Sequence, residues 1–188
     1  MTGALLQSLV TGLLAGDPIT AIGLIPVSFA AATDRPRNAW PYAVFGMCAI
    51  VLFSPLAWLL HAGLAAARLL PLEVPGAVLL LWGVRRTLAL AFRRVPALAD
   101  QSPFFFANCA VLGTGLLTAG RSPGQPAAAL GHAAGAAAAF FVATVTIAHL
   151  RSRIETGRAP RLLAGWPSLL LACAVLWIVF QGLALLVR

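Results

Sequence analysis

The sequence contains no lysine, and only five of its 188 residues carry a carboxylate: Asp17, Asp34, Glu73, Asp100 and Glu155. Charged residues make up 10% of the chain and apolar ones 61%, where a soluble domain carries about a quarter charged residues. So few charges cannot solvate the surface of a soluble fold, and a mean hydropathy of +0.93 marks a chain that a bilayer can accept. Cysteine is equally sparse. Cys48, Cys109 and Cys173 lie far apart inside apolar segments, without a CxxC spacing. That excludes a disulfide framework and a self-contained zinc site. The sequence has no HExxH, no Gly-x-Ser-x-Gly elbow, no Walker loop and no dinucleotide fingerprint, so the corresponding hydrolytic and nucleotide chemistries have no local support. The N-terminus lacks a basic stretch, and no cleaved signal peptide is expected.

What the chain does have is six apolar stretches separated by arginines. They run from about Ala4 to Ala32, Ala39 to Leu64, Leu70 to Phe92, Pro103 to Ala119, Ala127 to Leu150 and Leu162 to Val187. A span of about 20 residues crosses a hydrocarbon core about 30 Å thick. Lipid offers backbone groups no partner, so the spans are expected to be helices. The alanine-rich runs around 127–141 lack the alternation of a membrane β-barrel. The expectation is an all-α membrane protein of six transmembrane helices, forming a single integral membrane domain over residues 1–188.

The thirteen arginines set its orientation. Loops after spans 1, 3 and 5 hold eight: Arg35, Arg37, Arg93, Arg94, Arg151, Arg153, Arg158 and Arg161. Loops after spans 2 and 4, with the C-terminus, hold three: Arg68, Arg121 and Arg188. The positive-inside rule then places both termini outside. The same distribution argues against nucleic-acid binding, because the arginines form no patch with interleaved aromatics. Arg85 and Arg86 remain, inside span 3. They can snorkel to the near interface, or face a cavity or another subunit.

Two spans are irregular. Span 1 is long and carries Gly16-Asp17-Pro18 in its middle, with Pro26 further on. Span 4 is short and opens with Ser102-Pro103 before Phe104-Phe105-Phe106. Interrupted segments at matching places in two halves point to an inverted 3+3 repeat with broken helices 1 and 4. The half-repeats would cover about 1–95 and 100–188. Asp17 is either a functional intramembrane carboxylate or the cap of a half-helix beginning at Pro18. Asp34, Asp100 and Glu155 fall among loop arginines and are expected to be solvated. Glu73 and the three histidines, His61, His132 and His149, fall near span ends and read as interfacial groups. Gly113-Thr114-Gly115 reads as a helix-packing element, and Cys48 and Cys173 as small core hydrophobes.

Cys109 is set apart by its neighbours in Asn108-Cys109-Ala110-Val111-Leu112-Gly113. This stretch resembles a signature of the RnfA/NqrE-type membrane subunits of ion-translocating electron-transport complexes. Gly23-Leu24-Ile25-Pro26 is similar to a second motif of that family, Gly-Leu-Cys-Pro. The resemblance implies six spans, an inverted repeat and outward termini in a bacterial inner membrane. It also implies a homologous six-span partner among other complex subunits. In that family one cysteine of each half helps hold a [2Fe–2S] cluster shared with the partner. Cys109 stands at the second cysteine, with Asn108 adjacent, and would be an iron ligand. Ile25 stands at the first and cannot ligate iron. The family's paired span-1 asparagines are also replaced, by Leu14-Ala15-Gly16. The resulting expectation is a subunit that is non-catalytic alone and helps carry electrons across the membrane, coupled to Na⁺ or H⁺ movement. A cluster-free structural paralogue and a small independent transporter are the alternatives.

Overall fold

The computed structural model describes residues 2–14, 33, 36–95, 109–122, 124–157 and 165–187. These form six α-helices and no strand: α1 (Thr2–Leu14), α2 (Pro36–Ala66), α3 (Glu73–Ala91), α4 (Cys109–Arg121), α5 (Pro126–Thr156) and α6 (Trp166–Val187). A short 3-10 turn, Leu70–Leu72, joins α2 to α3. Among the described residues, α2, α3 with its preceding turn, α5 and α6 are long and apolar enough to cross a membrane. The chain is a multi-pass helical membrane protein. Helices α1 and α4 have 13 residues each, a rise of about 20 Å that falls short of the core thickness. The breaks expected at Gly16-Asp17-Pro18 and Ser102-Pro103 lie outside the described residues.

Local chemistry explains several helix ends. Both 31-residue helices, α2 and α5, begin on a proline; its missing N–H is no loss there and its fixed φ suits a first turn. Helix α2 ends with Arg68 at φ 57°, a left-handed cap. The Leu69 amide donates to Leu64 C=O at 2.8 Å and the Arg68 amide to Ala65 C=O at 3.1 Å, which satisfies the last carbonyls in a Schellman arrangement.

Packing centres on α2 and α5. Within its most apolar window α5 is 56% buried, against 22% for α3, so α5 is the hub and α3 lies at the periphery. Helix α1 packs on α5, α4 packs on α2, and α2 crosses α5; α3 lies against α2 and α6 against α5. Tyr42, Phe45, Ile50 and Phe53 of α2 interlock with Phe140 and Ile147 of α5 in a continuous apolar core. Small residues set the close approaches, as expected where lipid supplies no hydrophobic drive between helices. A Cβ on Gly135 would strike the Leu9 carbonyl and lie 2.8 Å from the Leu13 nitrogen; one on Gly131 would meet Ser8 Oγ and the Leu5 carbonyl. Gly131 and Gly135, one turn apart, let the backbone of α1 lie directly on α5. Gly115 of the Gly-Thr-Gly element sits against Phe53 and Ala57, where it sets the α2–α4 distance.

Candidate functional site

Cys109 is the first residue of α4. Backbone amides at a helix start have no intrahelical acceptor, and with the helix dipole they favour a negative group nearby. Asn108, Ile25 and Asp17, the other positions singled out in the sequence, lie outside the described residues. Beyond Cys109 the helix runs into the interior. Ala110 and Val111 are buried, as are Thr114 and Thr118. The two threonine hydroxyls donate to carbonyls four residues back, Thr114 to Ala110 at 2.6 Å and Thr118 to Thr114 at 2.8 Å. Their protons are therefore committed to their own helix. At the far end of α4, Trp58 Nε1 donates to the Ser122 carbonyl at 2.7 Å and ties the last turns of α2 and α4 together.

The remaining cysteines do not converge on a metal position. Cys48 on α2 and Cys173 on α6 are half-buried and pack against the apolar core. Among the described residues no three His, Cys, Asp or Glu side chains group closely enough to hold a metal ion. A [2Fe–2S] cluster normally takes four thiolates or histidines. With Ile25 in place of one cysteine and both other cysteines committed to packing, this chain's donor set does not fit the complete cluster that the resemblance implies.

Several ionisable groups at the helix ends join neighbouring helices. Glu155 belongs to the last turn of α5. It accepts from Arg151 Nε and from Ser168 Oγ, each at 2.9 Å, and so fastens the end of α5 to the start of α6. Arg151 itself is buried. Glu155 is exposed, as its place among loop arginines suggests, and one and a half turns of helix beyond Leu150 also bring its carboxylate to Ser168. His61 Nδ1 lies 2.9 Å from Glu73 Oε1, which links the end of α2 to the start of α3. His132 is buried where α1 crosses α5, covered by the close α1–α5 approach at Gly131 and Gly135. His149 is exposed. Arg86 lays its guanidinium 5.9 Å from the Trp82 ring centroid, and both arginines of the pair border an open groove with Ala89 and Leu90. This groove lies on the surface of α3, not in an interior cavity.

No family model matches the chain. Over 86 residues it is 35% identical to a component of the Na⁺-translocating ferredoxin:NAD⁺ oxidoreductase complex of Acetobacterium woodii. The matched stretch covers 46% of this chain and 44% of that relative, so the chain spans less than half the length of the curated relative it matches.

Proposed function

We propose that the chain is a membrane subunit of an Rnf/Nqr-like electron-transport complex, in which it associates with a six-span homologue and with redox proteins on either side of the bilayer. The observation that carries this reading is the partial identity to a component of such a complex, joined to this chain's multi-pass helical fold. A 3+3 inverted repeat belongs to the same proposal. Its support is the reciprocity of the packing: α1 on α5 answers α4 on α2, and α2 with α3 answers α5 with α6. Exchange of the two halves maps each of these pairs onto the other. Coupling to Na⁺ or H⁺ is also part of the proposal, because the relative belongs to a Na⁺-translocating complex.

Two readings of Cys109 follow, and a specific residue favours the second. In the first, Cys109 contributes a thiolate to a metal centre completed by partner chains. In the second, the chain is a cluster-free structural paralogue. Ile25 supports the latter, since two such chains could supply at most three of the four thiolates a standard cluster needs. The test is iron analysis and electron paramagnetic resonance of the chain purified with its partners, before and after Cys109→Ala. Loss of iron and of the spectroscopic signal in the variant assigns ligation. Unchanged iron and unchanged electron flow assign Cys109 to packing. If the chain purifies fully functional without any partner, the complex-subunit reading fails.

A further inference from the structure

Helix α3 has two unlike faces. Ala77, Leu81, Val84 and Leu88 are buried, spaced four, three and four residues apart, and join the apolar core. Leu79, Gly83, Arg86 and Leu90 repeat that spacing two residues further along. At about 100° per residue they lie on the opposite side of the helix. Leu79 is 71% exposed and Leu90 63%, and nothing lies within 4 Å of an ideal Cβ on Gly83. Contact with lipid alone has no use for a glycine here, since glycine lowers helix propensity. A notch on an open helix face instead lets a second helix approach closely. Trp82, Arg86, Ala89 and Leu90 border an open groove along the same face.

Arg86 puts a charge on this face. It is exposed and stands within the Leu70–Ala91 span. Its guanidinium lies 5.9 Å from the Trp82 ring centroid, and Trp82 is one turn nearer the middle of that span. Helical side chains lean toward the N-terminus of their helix, so the charge is carried into the membrane, away from the interface that Arg93 and Arg94 mark. A snorkelling arginine would turn the other way. The indole face compensates the cation in part, yet an arginine at this depth calls for an anion. The described residues include two carboxylates, and both are engaged elsewhere: Glu73 with His61 and Glu155 with Arg151.

The charge selects the occupant. An acyl chain brings no anion, and the phosphates of a leaflet lie beyond the end of the span. A two-fold contact between copies of this chain would set Arg86 against Arg86. A helix that carries Asp or Glu answers both the notch and the charge. We propose that the outer face of α3 docks a transmembrane helix of another subunit, whose carboxylate pairs with Arg86 inside the bilayer. This contact rests on the complex-subunit reading and gives it a face and a chemistry.

The experiment uses the full chain with its partners in the membranes of its host. A benzophenone amino acid replaces Leu79 or Leu90, and the adducts formed on irradiation are identified by mass spectrometry. Both positions should join one transmembrane segment of another subunit, with Asp or Glu level with Arg86. Arg86→Leu should lower the yield at least about tenfold, the loss expected when one member of a desolvated charge pair is removed. Arg86→Glu, combined with replacement of the partner's carboxylate by arginine, should restore it. Gly83→Leu fills the notch and leaves the charge; it should lower the yield several-fold and stands in if the Arg86 variants do not insert. Arg94→Gln, beyond the span, should leave the yield unchanged. In the chain alone in detergent, Arg86→Leu should not lower the unfolding midpoint. Partners that co-purify while Leu79 and Leu90 join only lipid, a second copy or a segment without a carboxylate overturn the docking face alone. An equal loss in Arg94→Gln does the same, as does a lowered midpoint in Arg86→Leu, which would place the carboxylate within this chain. If no partner co-purifies, the complex-subunit reading fails and takes this contact with it.

Discussion

A single methyl group tests how closely α1 rides on α5. The Cβ of Gly135→Ala would collide with the Leu9 carbonyl, which is backbone and cannot swing aside. Helix α1 must lift or shift, and overpacking of this kind costs about 1–3 kcal/mol. Gly83 on α3 is the control, because nothing lies within 4 Å of its ideal Cβ. Gly83→Ala should be neutral or stabilising by about 0.5 kcal/mol, the helix-propensity gain. Thermal unfolding of the two variants in the same detergent should separate them in sign, and equal midpoints would contradict the close-contact geometry. Arg68 offers the opposite case, a residue in a conformation that disfavours side chains. At φ 57° it carries a left-handed cost of about 1–2 kcal/mol. Arg68→Gly should raise the unfolding midpoint by a comparable stabilisation, while Arg68→Ala should not. At this scale the sequence was partly legible. Gly113-Thr114-Gly115 was readable as a packing element because two glycines in one turn of an apolar span have few other uses. Gly131 and Gly135 stand in an alanine-rich run, where most neighbours are small and little distinguishes the contact face.

Helices themselves were the most legible feature, because arginines punctuate the apolar runs. The stretch 39–64 became α2 at Pro36–Ala66, and 127–150 became α5 at Pro126–Thr156. Helix α5 outlasts its apolar run because Arg151 is covered and neutralised in place. That arrangement makes a prediction about how elements are joined. Glu155→Gln removes the carboxylate that Arg151 Nε and Ser168 Oγ both address. Because Glu155 is exposed and solvent screens its charge, the variant should lose about 1 kcal/mol of stability, and hydrogen exchange should rise first at the start of α6. Ser168→Ala should cost less, because its one hydroxyl proton is shared between Glu155 and the Gly165 carbonyl at 2.7 Å. Which faces of these helices meet could not be read in advance. Where lipid and core are equally apolar, a helix is hydrophobic all round and its periodicity no longer points inward. The Cys109 region was legible as a motif for a different reason: an asparagine beside a thiol is conspicuous in an apolar span.

At the scale of the whole molecule, the structure sorts the arginines by end without reference to a membrane. Trp40 stacks edge-on against Phe141 with centroids 5.1 Å apart, and Phe45 lies 6.1 Å from Phe92. These contacts bring the start of α2, the end of α3 and the second half of α5 to one end of the bundle. Arg37, Arg93, Arg94, Arg151 and Arg153 therefore share that end. The Trp58–Ser122 hydrogen bond holds the last turns of α2 and α4 together at the other, and with them Arg68 and Arg121. Five described arginines thus oppose two, the same imbalance as the eight-to-three division of the sequence. The positive-inside rule predicts that the richer end faces the cytoplasm. The α1–α5 crossing and an open groove bordered by both Gln7 and Arg121 put α1 nearer the poorer end. The expected outcome is that alkaline phosphatase fused after Arg188 is active and a fluorescent protein fused there is dark. Fusions after Arg94 should give the reverse pair. Reversal of the bias offers a second check: Arg93→Glu with Arg94→Glu and Arg153→Glu leaves Arg68 and Arg121 against a weakened opposite end, and a fraction of molecules should then insert inverted. Fluorescence at Arg188 in the unaltered chain would place the arginine-rich end outside, against the rule, and the assignment of both termini to the external face would fall with it.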